Sequence, residues 1–248
     1  MQPRDLHEPQ NPHEPQEPQN PQEPPDLHEL LKSLRVWAPE HTTLPPFTPD
    51  TAPATPLPLF ASWLAEAVAA GQPEPHTMSL ATSDADGHPD IRTVMLHGAD
   101  PDGWSFATHA TSRKGRQLAA TPYAALGFYW SALGRQVRVR GPVEAAPAAQ
   151  SQADLHARST GALAAALTGG QSETLGSLAE LALRSAQSWK RARATPDAPA
   201  PSWTLYRLHP DEVEFFQGDA DRRHVRLRYR REQQRDEGEG WTKELLWP

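Results

Sequence analysis

Residues 78–97 have the sequence MSLATSDADGHPDIRTVMLH, and this stretch decides the fold class. Two segments rich in apolar and β-branched residues, Met78–Thr82 and Ile91–His97, flank Asp84–Gly87, which has the Asp and Gly residues of a tight turn. Because strands joined by a short turn pair antiparallel, the stretch predicts a β-hairpin at the start of an antiparallel sheet.

The same pattern continues downstream, and it extends the hairpin into a larger sheet. Further strands are predicted at Trp104–Thr108, Ala124–Trp130, Arg135–Glu144, Trp203–Leu208, Glu212–Phe216, Val225–Tyr229 and Trp241–Leu246. Helices are predicted from Leu59 to Gly71, over Arg113–Ala119 with Ser112 as cap, around Ala146–Arg158 and around Thr174–Arg193. Since helices do not alternate with strands, the sequence predicts a mainly β barrel with flanking helices, not a doubly wound fold.

The N-terminal quarter of the chain differs in composition from the rest. Residues 1–26 carry proline at every third position from Pro9 to Pro24 with almost no apolar surface, which predicts a disordered tail. Residues 27–58 are predicted to be a Pro/Thr-rich linker with a short helix. The packed domain is predicted to occupy residues 59–248.

Composition and charge exclude several classes of protein. The formal net charge is −7, which disfavours nucleic acid as a partner. The sequence has no cysteine, so thiol nucleophiles and disulfides are excluded. There is no apolar run of the length that a membrane helix needs. No apolar signal core follows Met1, so a cytoplasmic location is expected.

The segment from Thr111 to Gln117 places Arg113 and Lys114 in the first turn of a predicted helix. The unpaired N–H groups and partial positive charge of a helix N-terminus attract anions, and two cations there would add to that attraction. This local pattern therefore predicts a phosphate site. A solvated basic turn is the alternative, and local sequence alone favours it.

Two other clusters carry charge beside apolar residues. Strand alternation places Arg92 on the same face as Val94 and Leu96. Arg92 could bind a ligand there, or its side chain could reach solvent from the end of the strand. On a strand, Arg222 and His224 would share one face, where they could bind an anion and handle a proton. The alternative for this pair is an exposed basic hairpin.

No metal site is predicted, because the histidines lack ligand-like spacing.

Taken together, these segments resemble the pyridoxamine 5′-phosphate oxidase family from about Leu59 to Pro248. The resemblance is carried, in order, by Met78–Thr82, Arg92–Leu96, Ser112–Lys114, Arg135–Gly141, Gln171–Ser172, Glu214–Gly218, Arg222 with His224 and Arg226, and Leu246–Pro248. The resemblance implies a homodimeric split β-barrel with FMN bound in two clefts between the subunits.

The resemblance also implies roles for individual residues. Those expected to bind FMN, several of them from the other subunit, are Arg92, Val94, Leu96, Thr108, Arg113, Lys114, Gln136, Gln171, Ser172, Phe216 and Arg226. Arg113 and Lys114 would hold its phosphate, and Phe216 replaces the usual tryptophan. Arg222 and His224 would be the catalytic pair beside the substrate.

The chain departs from the family where the substrate phosphate is bound. His97, Asp154 and Ala162 stand at the positions of the family's lysine, tyrosine and serine, and only Arg158 is retained. His97, Asp154 and Arg158 are nevertheless expected to line the substrate site, together with Arg222 and His224.

Three functions are compatible with these residues. The first expectation is the oxidation of pyridoxamine or pyridoxine 5′-phosphate to pyridoxal 5′-phosphate, with O₂ as acceptor and release of peroxide. The alternatives are a flavin oxidase for another aromatic substrate, such as a dihydrophenazine carboxylate in secondary metabolism, and a non-catalytic FMN-binding protein. Thr108-His109-Ala110 and Tyr129-Trp130 resemble the phenazine-biosynthesis members of the family.

Overall fold

The computed structural model describes residues 26–37, 43–232 and 240–248. The predicted disordered tail lies outside the described residues except for Asp26. That residue caps the first helix, because its Oδ1 accepts a hydrogen bond from the His28 N–H at 2.9 Å.

Helices flank a large sheet. The helices are α1 (Leu27–Ser33), α2 (Pro56–Ala69), α3 (Arg113–Ala120), α4 (Ala148–His156), α5 (Thr160–Thr168) and α6 (Leu178–Ala194). The strands are β1 (Thr77–Ser83), β2 (Pro89–Met95), β3 (Gly98–Asp100), β4 (Gly103–His109), β5 (Tyr123–Trp130), β6 (Arg135–Ala145), β7 (Trp203–Leu208), β8 (Glu212–Gln217), β9 (Val225–Arg231) and β10 (Trp241–Leu246).

All strand pairs are antiparallel, as the 78–97 hairpin predicted. The main path of the sheet runs β10-β9-β8-β6-β5-β1-β2, and a branch runs from β6 through β7 and β4 to β3. In the hairpin, Leu80 lies opposite Arg92 and Met78 lies opposite Val94. The predicted fold class, a mainly β split barrel with flanking helices, is confirmed.

Strand β6 joins the two parts of the sheet and curls it. Its first half, Arg135 to Arg140, pairs with β8, and its last residues, Val143 to Ala145, pair with β7. Gly141 lies at the change of partner, where a Cβ would stand 1.9 Å from the His209 carbonyl oxygen. Only glycine lets the two backbones approach this closely.

The main core lies between the curled sheet and α2. Helix α2 buries Phe60 and Trp63, and Phe60 packs against Phe128 with ring centroids 5.0 Å apart. Arg135 is buried over the Trp63 ring at 4.3 Å and pairs with Glu66 at 2.7 Å, so its charge is compensated. A second cluster, centred on Leu155, Leu163 and Ala192, joins α4, α5 and α6.

Some boundaries differ from those that the sequence predicted. Packing against the barrel starts before Leu59, because Ala52 is buried in the core and Phe47 contacts Trp63. Helix α5 and strand β3 were not predicted. The alanine-rich sequence of α5 has no amphipathic period, and β3 has only three residues.

Within the described ranges, none of the helices combines the length and hydropathy that crossing a membrane requires.

Candidate active site

The first group of candidate residues surrounds Lys114 at the start of α3. Ser112 caps the helix by accepting a hydrogen bond from the Gly115 N–H at 3.2 Å, as predicted. Lys114 is 8% exposed, and its Nζ donates to Thr108 Oγ1 and Gln171 Oε1, both at 3.1 Å. Burial lowers the pKa of Lys114, as does the charge of Arg92, whereas Asp90 opposes the shift.

Lys114 is therefore a buried cation whose hydrogen-bond partners among the described residues are neutral. A buried charge of this kind needs a counterion, and a helix N-terminus adds to the preference for an anion. These properties fit the phosphate of a mononucleotide such as FMN. The backbone is shaped for this position, because a Cβ on Gly115 would stand 2.4 Å from the Ala110 carbonyl oxygen.

Arg113 and Ser172 lie at the edge of the same group. The Arg113 side chain is 66% exposed and pairs with Asp90 at 3.2 Å. The Arg113 N–H donates to Ser172 Oγ at 3.1 Å. The loop after α5 thus brings Gln171 and Ser172 to Lys114 and Arg113 of the same chain.

Arg92 is held inside the barrel wall and does not reach solvent from a strand end. Its guanidinium donates to the Leu80 carbonyl at 3.1 Å, Thr82 Oγ1 at 2.6 Å and Gln117 Oε1 at 3.1 Å. It also pairs with Asp90 at 2.8 Å. On the same strand, Val94 is half-buried against the core, and so is Leu96 just after the strand.

The second group lies on β6, β8 and β9. Gln136 stands opposite Phe216 in the sheet, and both line a cavity of about 210 Å³ together with Arg226. Arg226 donates to Glu214 Oε1 from Nε at 2.9 Å and from Nη2 at 2.6 Å. Arg228 of the same strand is also paired, with Glu244 and Glu212.

Arg222 and His224 do not share a strand face, which corrects that expectation. Strand β9 begins at Val225, and Arg222 lies in the preceding turn with φ of 66°. His224 Nδ1 accepts a hydrogen bond from the Asp219 N–H at 3.0 Å. Its ring lies 5.2 Å from that of Phe216 and 5.6 Å from that of Trp37.

The third group joins three of the four residues at the expected substrate-phosphate positions, His97, Asp154 and Arg158. His97 Nδ1 lies 3.2 and 3.1 Å from the two carboxylate oxygens of Asp154. Arg158 donates to the same oxygens from Nε at 3.2 Å and from Nη2 at 2.9 Å. Ala162 is not part of this network, because its N–H bonds to the Ser159 cap of α5.

The third group adjoins the first through aromatic contacts. The Trp203 ring lies 6.4 Å from that of His97, nearly parallel to it, and 5.7 Å from that of His109. His109 and Gln171 line a cavity of about 470 Å³. By contrast, in the part of the chain that the structure covers, neither hydrogen bonds nor ion pairs connect the Lys114 group with the Gln136 group.

Four of these residues were not singled out from the sequence. Gln117 and Asp90 hold Arg92, Trp37 covers His224, and Trp203 stacks on His97. Gln117 follows Lys114 by three residues on α3, so helical spacing could have suggested that it faces the same side. The contacts of the two tryptophans depend on chain reversals that local sequence does not encode.

The turn between β1 and β2 also gathers possible metal ligands, although no metal site was predicted. One ligand atom each from Asp84, Asp86 and His88 lies within 4.8 Å of the others. Backbone hydrogen bonds to Asp84 Oδ1 explain this proximity as turn geometry.

Two family models match most of the chain. A model described as pyridoxamine 5′-phosphate oxidase matches residues 64–192. A second, described as the pyridoxine 5′-phosphate oxidase C-terminal dimerisation region, matches residues 203–248.

Individual relatives agree with these models. A pyridoxine/pyridoxamine 5′-phosphate oxidase of Bordetella avium is 45% identical, over 79% of this chain and 91% of the relative. The oxidase of the same name from Burkholderia multivorans is 44% identical, over 80% and 92%. Among solved structures, PhzG from Burkholderia lata, in complex with tetrahydrophenazine-1-carboxylic acid, has a TM-score of 0.75 and 32% identity, over 84% of this chain and all of that chain.

Proposed function

The chain belongs to the pyridoxamine 5′-phosphate oxidase family, and from this premise we propose that it is an FMN-dependent oxidase with O₂ as electron acceptor. The observation that carries the proposal is the buried Lys114, which has neutral partners at the N-terminus of α3. A phosphate there would supply the missing counterion. Arg113, at the exposed edge of the same turn, would add a second cation.

Bound FMN would supply the redox chemistry, accepting a hydride from a substrate carbon and passing electrons to O₂ with release of peroxide. The protein would hold the cofactor and orient the substrate. Because His224 Nδ1 accepts from the Asp219 N–H, a neutral His224 carries its proton on Nε2. His224 would therefore donate a hydrogen bond to a polar substituent of the substrate. Arg222 lies in the turn beside His224, and its positive charge would help to orient the substrate.

A homodimer would bring the two separate groups of cofactor residues together. The model that matches residues 203–248 is described as a dimerisation region, and it includes Phe216 and Arg226. We propose that Gln136, Phe216 and Arg226 of one chain face the Lys114 group of its partner. Two-fold symmetry then gives two equivalent FMN sites per dimer.

Two substrates are candidates. The names of the curated relatives support pyridoxamine or pyridoxine 5′-phosphate. The replaced phosphate contacts at His97, Asp154 and Ala162 favour the second candidate, a reduced phenazine carboxylate or a similar aromatic compound. A structural neighbour that holds tetrahydrophenazine-1-carboxylic acid supports that class too. A protein that binds FMN but oxidises neither class would be a non-catalytic flavin binder.

The cofactor assignment is tested by FMN titration of the apoprotein, followed by flavin fluorescence. Lys114→Met should weaken FMN binding at least about tenfold, because a charge-assisted hydrogen bond contributes roughly 1.5–3 kcal/mol and 1.4 kcal/mol is a factor of ten. The matched control is Lys190→Met, at an exposed lysine of α6, which should bind FMN like the wild type. Wild-type affinity in Lys114→Met would refute the proposed phosphate site.

A further inference from the structure

We propose that His97, Asp154 and Arg158 form a substrate subsite of zero net charge, which accepts a hydrogen-bond donor of a ring substrate that carries no phosphate group. The proposal rests on the proposed oxidase function and names the substrate class of that site. Its basis is the arrangement of charges around Asp154.

Asp154 already has two hydrogen-bonding partners within the chain, His97 and Arg158. His97 and Arg158 together place three nitrogen atoms within 3.2 Å of its carboxylate oxygens. The side chains are largely enclosed, with 4% of His97 and 15% of Asp154 exposed. An ion pair in such a place is difficult to open, because separation leaves a poorly solvated charge on each side.

The protonation states make the cluster neutral. Burial lowers the pKa of His97, and the charges of Arg158 and His76 act in the same direction, so the opposing effect of Asp154 does not prevent a net decrease. Burial would raise the pKa of Asp154, but the hydrogen bonds and charges of Arg158 and His97 reverse this and lower it. At pH 7 the cluster therefore contains one carboxylate, one guanidinium and a neutral imidazole.

A neutral His97 offers a hydrogen-bond acceptor, and a phosphate dianion has no proton to donate to it. Because ionised Asp154 only accepts hydrogen bonds, His97 carries its proton on Nδ1 and has a lone pair on Nε2. That atom has no hydrogen-bond partner among the described residues. A hydroxyl or N–H group of a substrate would fit it, whereas a phosphate dianion at pH 7 offers no proton and meets an additional carboxylate.

The position of the cluster connects it with the rest of the site. Trp203 stacks on His97 and contacts His109, which lines the 470 Å³ cavity with Gln171. The Trp203 indole N–H is buried and has no partner within the described part of the chain, so a second polar group next to His97 is unused. An aromatic wall beside a neutral polar cluster suits a planar ring compound.

The experiment compares pyridoxal 5′-phosphate with pyridoxal, a pair that differs only in the phosphate, by titration calorimetry on the FMN-loaded protein. The wild type should bind the two with dissociation constants within about threefold of each other. Asp154→Asn frees Arg158, and it should tighten pyridoxal 5′-phosphate at least about tenfold while leaving pyridoxal unchanged. Asp154→Glu, which keeps the charge, is the matched control and should resemble the wild type.

The double variant Asp154→Asn/Arg158→Gln should lose the gain, because the gain would come from the released guanidinium. A wild type that binds the phosphate ester more than about tenfold tighter than pyridoxal would overturn the proposal. So would an Asp154→Asn variant with an unchanged ratio, or a double variant that keeps the gain. Failure of the oxidase function would appear separately, as no FMN uptake or no turnover with any substrate, since binding heats do not depend on catalysis.

Discussion

His97 has the most strongly constrained environment of the residues around Asp154. Its imidazole is nearly enclosed, and burial outweighs the attraction of Asp154, so its pKa lies below the ordinary 6.5. A histidine with a lowered pKa favours the neutral form in the folded state. Its contribution to stability is therefore present above the unfolded pKa and is lost as the pH falls below it.

Titration of His97 by NMR should accordingly show a midpoint below 6.5. Asp154→Asn should move the midpoint further down, because it removes the carboxylate that favours the charged imidazolium. The His97→Gln variant identifies the signal. A His97 midpoint above 6.5, or one that rises in Asp154→Asn, would contradict this account of the cluster.

The sequence predicted positions along single elements better than contacts between distant parts of the chain. The position of Lys114 after a Ser cap predicted its place at a helix start, but its burial depends on Thr108 and on Gln171, 57 positions away. The contact of His97 with Asp154 also spans 57 positions, and no local pattern encodes it. Asp154 was expected to line the substrate site, and the structure shows that it is paired with Arg158 and His97.

The element that shapes the molecule is β6, which changes partners at Gly141. A side chain there would collide with the His209 carbonyl, and the collision involves backbone that cannot move aside cheaply. The turn at His209 itself is held by its N–H bond to the Pro142 carbonyl at 2.9 Å. The strand and the turn after β7 are thus fitted to one another.

Gly141→Ala should lower the free energy of unfolding by about 1–3 kcal/mol, the usual cost of overpacking a close contact. Gly98→Ala is the matched control, because a Cβ at Gly98 meets nothing within 4 Å. Denaturant unfolding of both variants measures the difference. Equal stability of the two would show that β6 does not require glycine at the bend.

Most elements followed from sequence, because turn residues separate short apolar strands along the 78–97 hairpin and after it. The predicted start of β9 at Val225 is confirmed, but Arg222 and His224 lie before it, in a turn where Asp219 accepts hydrogen bonds from the Asp221 and Arg223 N–H groups. Helix α5 was not predicted, because its alanine-rich sequence has no alternation of apolar and polar residues that would distinguish a buried face from an exposed one. Its burial comes from packing against α6 and α4.

Within the described residues, the proposed cofactor residues fall into two groups that neither hydrogen bonds nor ion pairs connect in one chain. The Lys114 group lies around α3 and β4, and the Gln136 group lies on β6, β8 and β9. If each site takes one group from each subunit, variants in different groups should complement one another in a mixed dimer.

Co-expressed Lys114→Met and Arg226→Met chains, purified as the heterodimer, should bind about half the FMN of the wild type, since one of two symmetric sites is intact. The control pairs a wild-type chain with one that carries both substitutions, so that each site has one defect. That heterodimer should bind FMN only weakly. The reverse result, about half the FMN in the control heterodimer and only weak binding in the co-expressed one, would mean that each site is built from a single chain.

Whether the protein is an FMN-dependent oxidase is tested by anaerobic mixing of the FMN-loaded protein with candidate substrates in a stopped-flow spectrophotometer. We expect loss of the oxidised flavin absorbance with an unphosphorylated ring substrate, and its return on addition of O₂ with stoichiometric peroxide. Flavin that remains oxidised with every pyridoxine-type and phenazine-type compound, phosphorylated or not, would contradict the claim.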